Sequence, residues 1–101
     1  MMTEVVKIGL VVGGFDRPTV LPRAAIGDRL HLSFSGTSDW PSRISVHMKD
    51  DQFSGHINII LAEEMYALRD RIKDMWGIAQ EVSTRKNPGW AVEVHYKLSQ
   101  E

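Results

Sequence analysis

Residues 61–82 read LAEEMYALRDRIKDMWGIAQEV, and the period assigned to this stretch decides the fold. Apolar side chains recur at Leu61, Met65, Leu68, Ile72, Met75, Ala79 and Val82, steps of four and three that line up on one face of a helix. Glu63 and Glu64 in the first turn suit the positive end of the helix dipole, and Asp70, Arg71, Lys73 and Asp74 supply a solvated opposite face. The stripe covers about three heptads without the flanking charge pairs of a coiled-coil seam, so it is assigned to core packing. Its ends are less well marked. No Ser, Thr, Asp or Asn directly precedes Ala62, and Gly77 inside a helix costs about 1 kcal/mol relative to Ala, which allows a kink or an early stop there.

On either side of this stretch the period is two. Leu30, Leu32 and Phe34 alternate with Arg29, His31, Ser33 and Ser35, and after the turn-like Gly36 to Pro41 the pattern returns as Ile44, Val46 and Met48 against Arg43, Ser45, His47 and Lys49. A second turn, Asp50 to Gly55, leads to Ile57, Ile59 and Leu61 against His56, Asn58 and Ile60, completing a three-strand meander. Glu4 to Val12 reads as a first strand, Gly13 to Asp28 as a long packed loop punctuated by Pro18 and Pro22, and Trp90 to Leu98 as a last strand after Lys86-Asn87-Pro88-Gly89. One long amphipathic helix covers one face of a sheet. The expectation is therefore a single α+β domain over residues 1–101: a two-layer sandwich with a mostly antiparallel sheet of about five strands, ordered β, long loop, β-β-β-α-β.

The composition supports a folded chain and excludes several function classes. In 101 residues, 43% are apolar, enough for one core, and the net charge of -1 is evenly distributed: six basic and six acidic residues lie in 1–60, six and seven in 61–101. A duplex-DNA binder carries a basic excess, and a mimic of DNA an acidic one. The absence of Cys excludes disulfide scaffolds and thiolate zinc sites. Apolar runs such as Ile8 to Val12 fall far short of the roughly 20 residues a membrane span needs, and Glu4 and Lys7 interrupt any secretory leader, so a cytoplasmic protein with no membrane partner is expected.

With the apolar parity turned toward the helix, Arg29, His31, Ser33, Arg43, Ser45, His47, Lys49, His56, Asn58, Glu93, His95 and Lys97 share an open sheet face that carries all four histidines. A zinc site built from His31, His47 or His95 with Glu93 lacks any local ligand signature, and Ser33 or Ser45 on a flat wet face lacks the desolvated base a nucleophile needs; no cofactor and no metal are expected. Single-stranded nucleic acid would suit Arg29, Arg43, Lys49 and Lys97. Against it, Phe34, Trp90 and Tyr96 fall on the core-facing parity, leaving no rings on the face for bases to stack on. Gly13-Gly14 lacks the Lys-Ser/Thr of a phosphate loop and reads as a turn, as does Asp50-Asp51. Trp40, Phe53 and Phe15 lie in turns or loops, and a turn tryptophan ringed by polar residues is the material of an interface hot spot.

The favoured expectation is a small non-enzymatic protein-binding module using Trp40 with Arg29, Arg43, His47, His95 and Lys97. Its size and lack of catalytic signatures fit a phage- or mobile-element-encoded inhibitor or accessory subunit, and an edge strand would offer a route to a homodimer. A small ligand- or metal-binding domain or enzyme on the His-rich face is the alternative, and a single-stranded nucleic-acid sheet the second.

Overall fold

The computed structural model describes residues 2–12, 25–50, 53–80 and 90–99. Among these, six strands and one short helix follow along the chain: β1 (Met2–Val12), β2 (Arg29–Phe34), β3 (Ile44–His47), β4 (Phe53–Ile57), α1 (Ile59–Ala67), β5 (Ile72–Ala79) and β6 (Trp90–Ser99). The strands close into a barrel in the order β1-β4-β3-β2-β5-β6, with every neighbouring pair antiparallel. This overturns the two-layer α+β sandwich: there is no open sheet under a long helix, and the protein is not a small α+β domain of that kind. Nothing in the barrel supports an inhibitor role or a phage origin.

Closure follows from alternation. In a barrel one parity of each strand faces inward, and here Leu30, Leu32, Ile44, Val46, Val92 and Val94 are buried inside. Leu61, Ala62 and Met65 of α1 join the same core. The helix lies so close to β1 that a Cβ on Gly9 would stand 2.7 Å from Leu61 Cδ2 and 3.0 Å from Asn58 Oδ1, so a larger residue there would push these side chains aside. Asn58, at the N-cap position, makes no side-chain cap; its Oδ1 accepts from the Leu10 N–H (2.9 Å) and its own N–H donates to the Leu10 carbonyl (2.8 Å), tying the start of the helix to β1. The residue before Ala62 offers no cap because the helix begins three residues earlier, at Ile59. Ile59 is likewise no strand residue: it opens the helix and is half exposed.

The long helix of residues 61–82 is nine residues of helix, a turn, and a strand. The Arg71 and Ile72 N–H groups both donate to the Leu68 carbonyl, turning the chain out of α1 and into β5. Along β5, Gly77 and Ala79 are buried while Trp76 and Ile78 point outward. The register with β6 shifts between Ile72, which pairs with Leu98, and Asp74, which pairs with Lys97. That bulge inserts one residue, so Ile72 and Met75, three apart, both pack on the core. A bulged strand thus counterfeits the i, i+3 spacing of a helix. Gly77 is the residue that gives the strand away, because a Cβ there would meet Val92 Cγ2 of the neighbouring β6 at 2.9 Å.

The Gly13-Gly14 turn, Phe15, the prolines of the first loop, Asp51, Val82 and the Lys86-Asn87-Pro88-Gly89 turn lie outside the described residues, as does the side chain of Trp90. Among the described residues no helix is long and apolar enough to cross a membrane.

Candidate functional site

The outward parity of five consecutive strands forms a single line of rings. Phe53 of β4 pairs with His47 of β3, His47 with His31 of β2, His31 with Trp76 of β5, and Trp76 with His95 of β6. Directly paired side chains stand side by side on one face of a sheet. The rings of His47 and Phe53 are 5.7 Å apart, and those of Trp76 and His95 lie 5.2 Å apart and within 8° of parallel. With strands spaced about 4.8 Å apart, the row crosses roughly 19 Å of the barrel's outer wall.

Cations flank the row at its tryptophan. The Arg29 guanidinium sits 4.8 Å from the centre of the Trp76 ring and Lys97 Nζ 5.6 Å from it, both within cation–π range. His95 is held between two carboxylates, its Nε2 2.6 Å from Glu93 Oε1 and its Nδ1 3.4 Å from Glu4 Oε1, which fixes the plane of the ring that stacks on Trp76. Beside Arg29 a cleft of about 430 Å³ opens between the start of β2 and the end of β3, with Leu30 and Met48 in its floor and Asp28, Lys49 and Asp50 around it.

At the other end, His56 lies 4.9 Å from Phe53 and 5.3 Å from Trp40, which folds over it from the β2–β3 connection. Trp40 Nε1 and His56 Nδ1 are both buried with no hydrogen-bond partner among the described residues. Burial holds the His56 imidazole below its ordinary pKa, and the positive charges of Arg43 and His47 push in the same direction. Arg43 is anchored, its Nε donating to the Ser35 carbonyl (2.8 Å) and hydroxyl (3.2 Å), while the Ser35 and Ser45 hydroxyls bond each other.

Of the residues singled out from sequence, His47 and His95 belong to the row, Arg29 and Lys97 flank it, and Arg43 and Trp40 sit at its His56 end. His31 lies at the centre of the row. Ser33 is exposed and Ser45 is buried on its neighbouring strand. His95 is separated from His31 and His47 by Trp76, and among the described residues no group of three or more His, Asp or Glu gathers to hold a metal. Two rings escaped the sequence reading. The helical period takes in Trp76, and Phe53 falls in a turn stretch; the bulky-Gly-bulky run Trp76-Gly77-Ile78 suits a strand better than a helix and is the signal that marks the first.

No family model matches the chain, and no curated protein matches it in sequence. Among solved structures, the crystal structure of a protein from Lactobacillus plantarum, a target of the northeast structural genomics consortium, is similar over 98% of this chain and 100% of that one, with a TM-score of 0.70 and 19% identity, a likeness of fold.

Proposed function

We propose that the ring-bearing wall binds single-stranded nucleic acid, with bases stacking on Trp76 and its neighbours and phosphates meeting the flanking cations. The observation that carries this reading is the ring row at its Trp76 and His95 half, since every base has a flat face and stacking on an aromatic contributes about 1–3 kcal/mol per base. The objection raised by the sequence was a face without rings. Trp76 and Phe53 remove it. Four cations, Arg29, Arg43, Lys49 and Lys97, are too few for charge to dominate: at about -0.7 per contact they allow a salt slope no steeper than about -3. Stacking must supply the remainder.

The topology adds an analogy. With β1 set aside, the circuit β2-β3-β4-β6-β5, with α1 between its third and fourth strands along the chain, follows the five-stranded Greek-key barrel that binds oligonucleotides and oligosaccharides, β1 being inserted between β4 and β6. Fold alone does not carry function, and the analogy supports the proposal only because the rings lie on that barrel's wall. The second reading, a protein-docking module, draws on the adjoining surface, where Val6 (49% exposed), beside His95 in the register, Ile8 (69%) and, on α1, Ile60 (77%) stand in solvent.

Fluorescence anisotropy with labelled single-stranded DNA and RNA tests the proposal. Saturable binding in the micromolar range, weakened at least several-fold by Trp76→Ala in a protein whose melting curve stays cooperative, is expected. No saturable binding of either strand, or binding indifferent to Trp76, would remove it in favour of the protein-docking reading.

A further inference from the structure

The four histidines of the outer wall fall into two groups that the carboxylates separate. His95 has both ring nitrogens against acids, Glu93 and Glu4. His31, His47 and His56 make no hydrogen bond or ion pair to a carboxylate among the described residues. We infer that this second group, with Arg43, is the track along which the phosphates of a bound single strand run, and that the protein takes up protons on these imidazoles as the strand binds. The inference rests on the nucleic-acid reading and divides its site: bases at the Trp76 and His95 half, backbone at the His31, His47 and His56 half.

The surroundings of each ring support the division. His56 faces Ser45 and His47 from β3, Arg43 just before that strand, Val12 from β1 and Trp40 from the connection above it, with Phe53 beside it on its own strand. His47 faces His31 from β2 and Phe53 from β4, with Lys49 and Asp50 following it in the chain. His31 faces His47 on one side and Trp76 on the other, with Arg29 two residues before it. Asp74, on β5, is opposite Lys97 of β6 and not opposite a histidine. Among the described residues, the groups that face the three rings from neighbouring strands are therefore cations, other imidazoles and uncharged side chains, with Asp50 following His47 in the chain. Burial first, and then the charges of Arg43 and His47, lower the proton affinity of His56. A phosphate laid along the track supplies the missing charge, and an anion beside an imidazole favours its protonated form. Each proton so bound adds a unit of positive charge where the strand's charge lies. At the His95 end Glu93 and Glu4 already lie against the ring's two nitrogens and would repel a phosphate.

The test measures affinity for a labelled single-stranded oligonucleotide at constant ionic strength between about pH 5.5 and 8. Affinity should tighten as pH falls, by about tenfold per pH unit wherever one proton is taken up, and calorimetry in two buffers of different ionisation enthalpy should give the same proton count. His47→Gln with His56→Gln should flatten the slope, the exposed His31→Gln alone should reduce it, and His95→Gln should retain it. Because the double variant alters a partly buried ring, the His31 variant keeps the comparison decisive if the double one unfolds. Inorganic phosphate titrated alone should compete only at far higher concentration than the strand; equal competition would mark a site for a free anion and overturn the track. Strand binding of constant affinity across the range would overturn the inference and leave the function standing, whereas no binding at any pH would overturn both.

Discussion

The wall of β4, β3, β2 and β5 and the wall of β1 obey the same alternation and present opposite chemistry. On β2 the outward positions are Arg29, His31 and Ser33; on β1 they include Glu4, Val6 and Ile8. Pairing differs as well. β2 is bonded on both sides, to β3 and to β5, whereas β1 pairs along its length with β6 but meets β4 only at Val11 and Val12. The ring wall is therefore a surface whose side chains are held at fixed spacing by ladders on either side, and a ligand binding there meets groups whose ordering has already been paid for. The β1 wall offers exposed aliphatics on a strand supported from one side. What separates them is the outward parity, which the core does not constrain.

The largest effect should come from the parity that both walls share. Leu30, fully buried on β2, replaced by Ala should lose about 2–5 kcal/mol of unfolding free energy in urea titration. A loss below about 0.5 kcal/mol would mean that β2 does not line a core. Gly77→Val should follow at about 1–3 kcal/mol, since its first carbon already meets Val92 inside the barrel and the branches have nowhere to go. Were residues 72–79 a helix, the same change would be mild, so this variant distinguishes the strand from the helix on stability alone.

Trp76→Ala separates the walls by function. It should cost about 1–3 kcal/mol of oligonucleotide binding. Ile8→Ser, on the other wall, should leave strand binding as it was and move stability by no more than about 0.5 kcal/mol, because the side chain is mostly in water. An Ile8→Ser that weakened the strand as much as Trp76→Ala would merge the two walls into one site and erase the contrast.

How far the sequence reveals this arrangement depends on whether a local period has one reading. In β2 and β3 every second residue is apolar and the intervening ones are polar, and β6 departs from this only at Ala91, so strand, inward face and outward face are all readable. The histidines and cations of the site could be collected from parity because parity survives when an open sheet becomes a barrel. Residues 61–82 have two readings. Leu61 and Met65 lie on a true helix, Ile72 and Met75 on a bulged strand, and the bulge continues the helical spacing across a turn that contains neither Gly nor Pro. That one ambiguity hid the closing strand of the barrel and, with it, Trp76. Closure itself depends on the pairing of β1 with both β4 and β6, partners far away in the chain, and no local pattern records it.

The smallest expected effect is a pair of opposite pH dependences, one from each environment. His56, on the ring wall, binds its proton less tightly folded than unfolded, chiefly through burial and further through Arg43 and His47. Below about pH 6.5 the unfolded chain takes the proton first, so the stability that neutral His56 contributes is present above that pH and is lost as pH falls through the folded value. Tyr96 is the inverse case, paired inside the barrel with Val5 of β1 and Met75 of β5. Burial raises its pKa, Glu64 adds to the rise and Lys7 opposes it. Its contribution is present below about pH 10 and is lost as pH rises through the folded value, because the unfolded chain ionises first. His56→Gln should flatten the acid limb of a stability profile and leave the alkaline limb in place, and Tyr96→Phe should do the reverse. If His56→Gln left the acid limb as steep as before, burial of the neutral His56 ring would not be what sets it, and the packing of Trp40 and Phe53 around that ring would have to be read as ordinary wall packing.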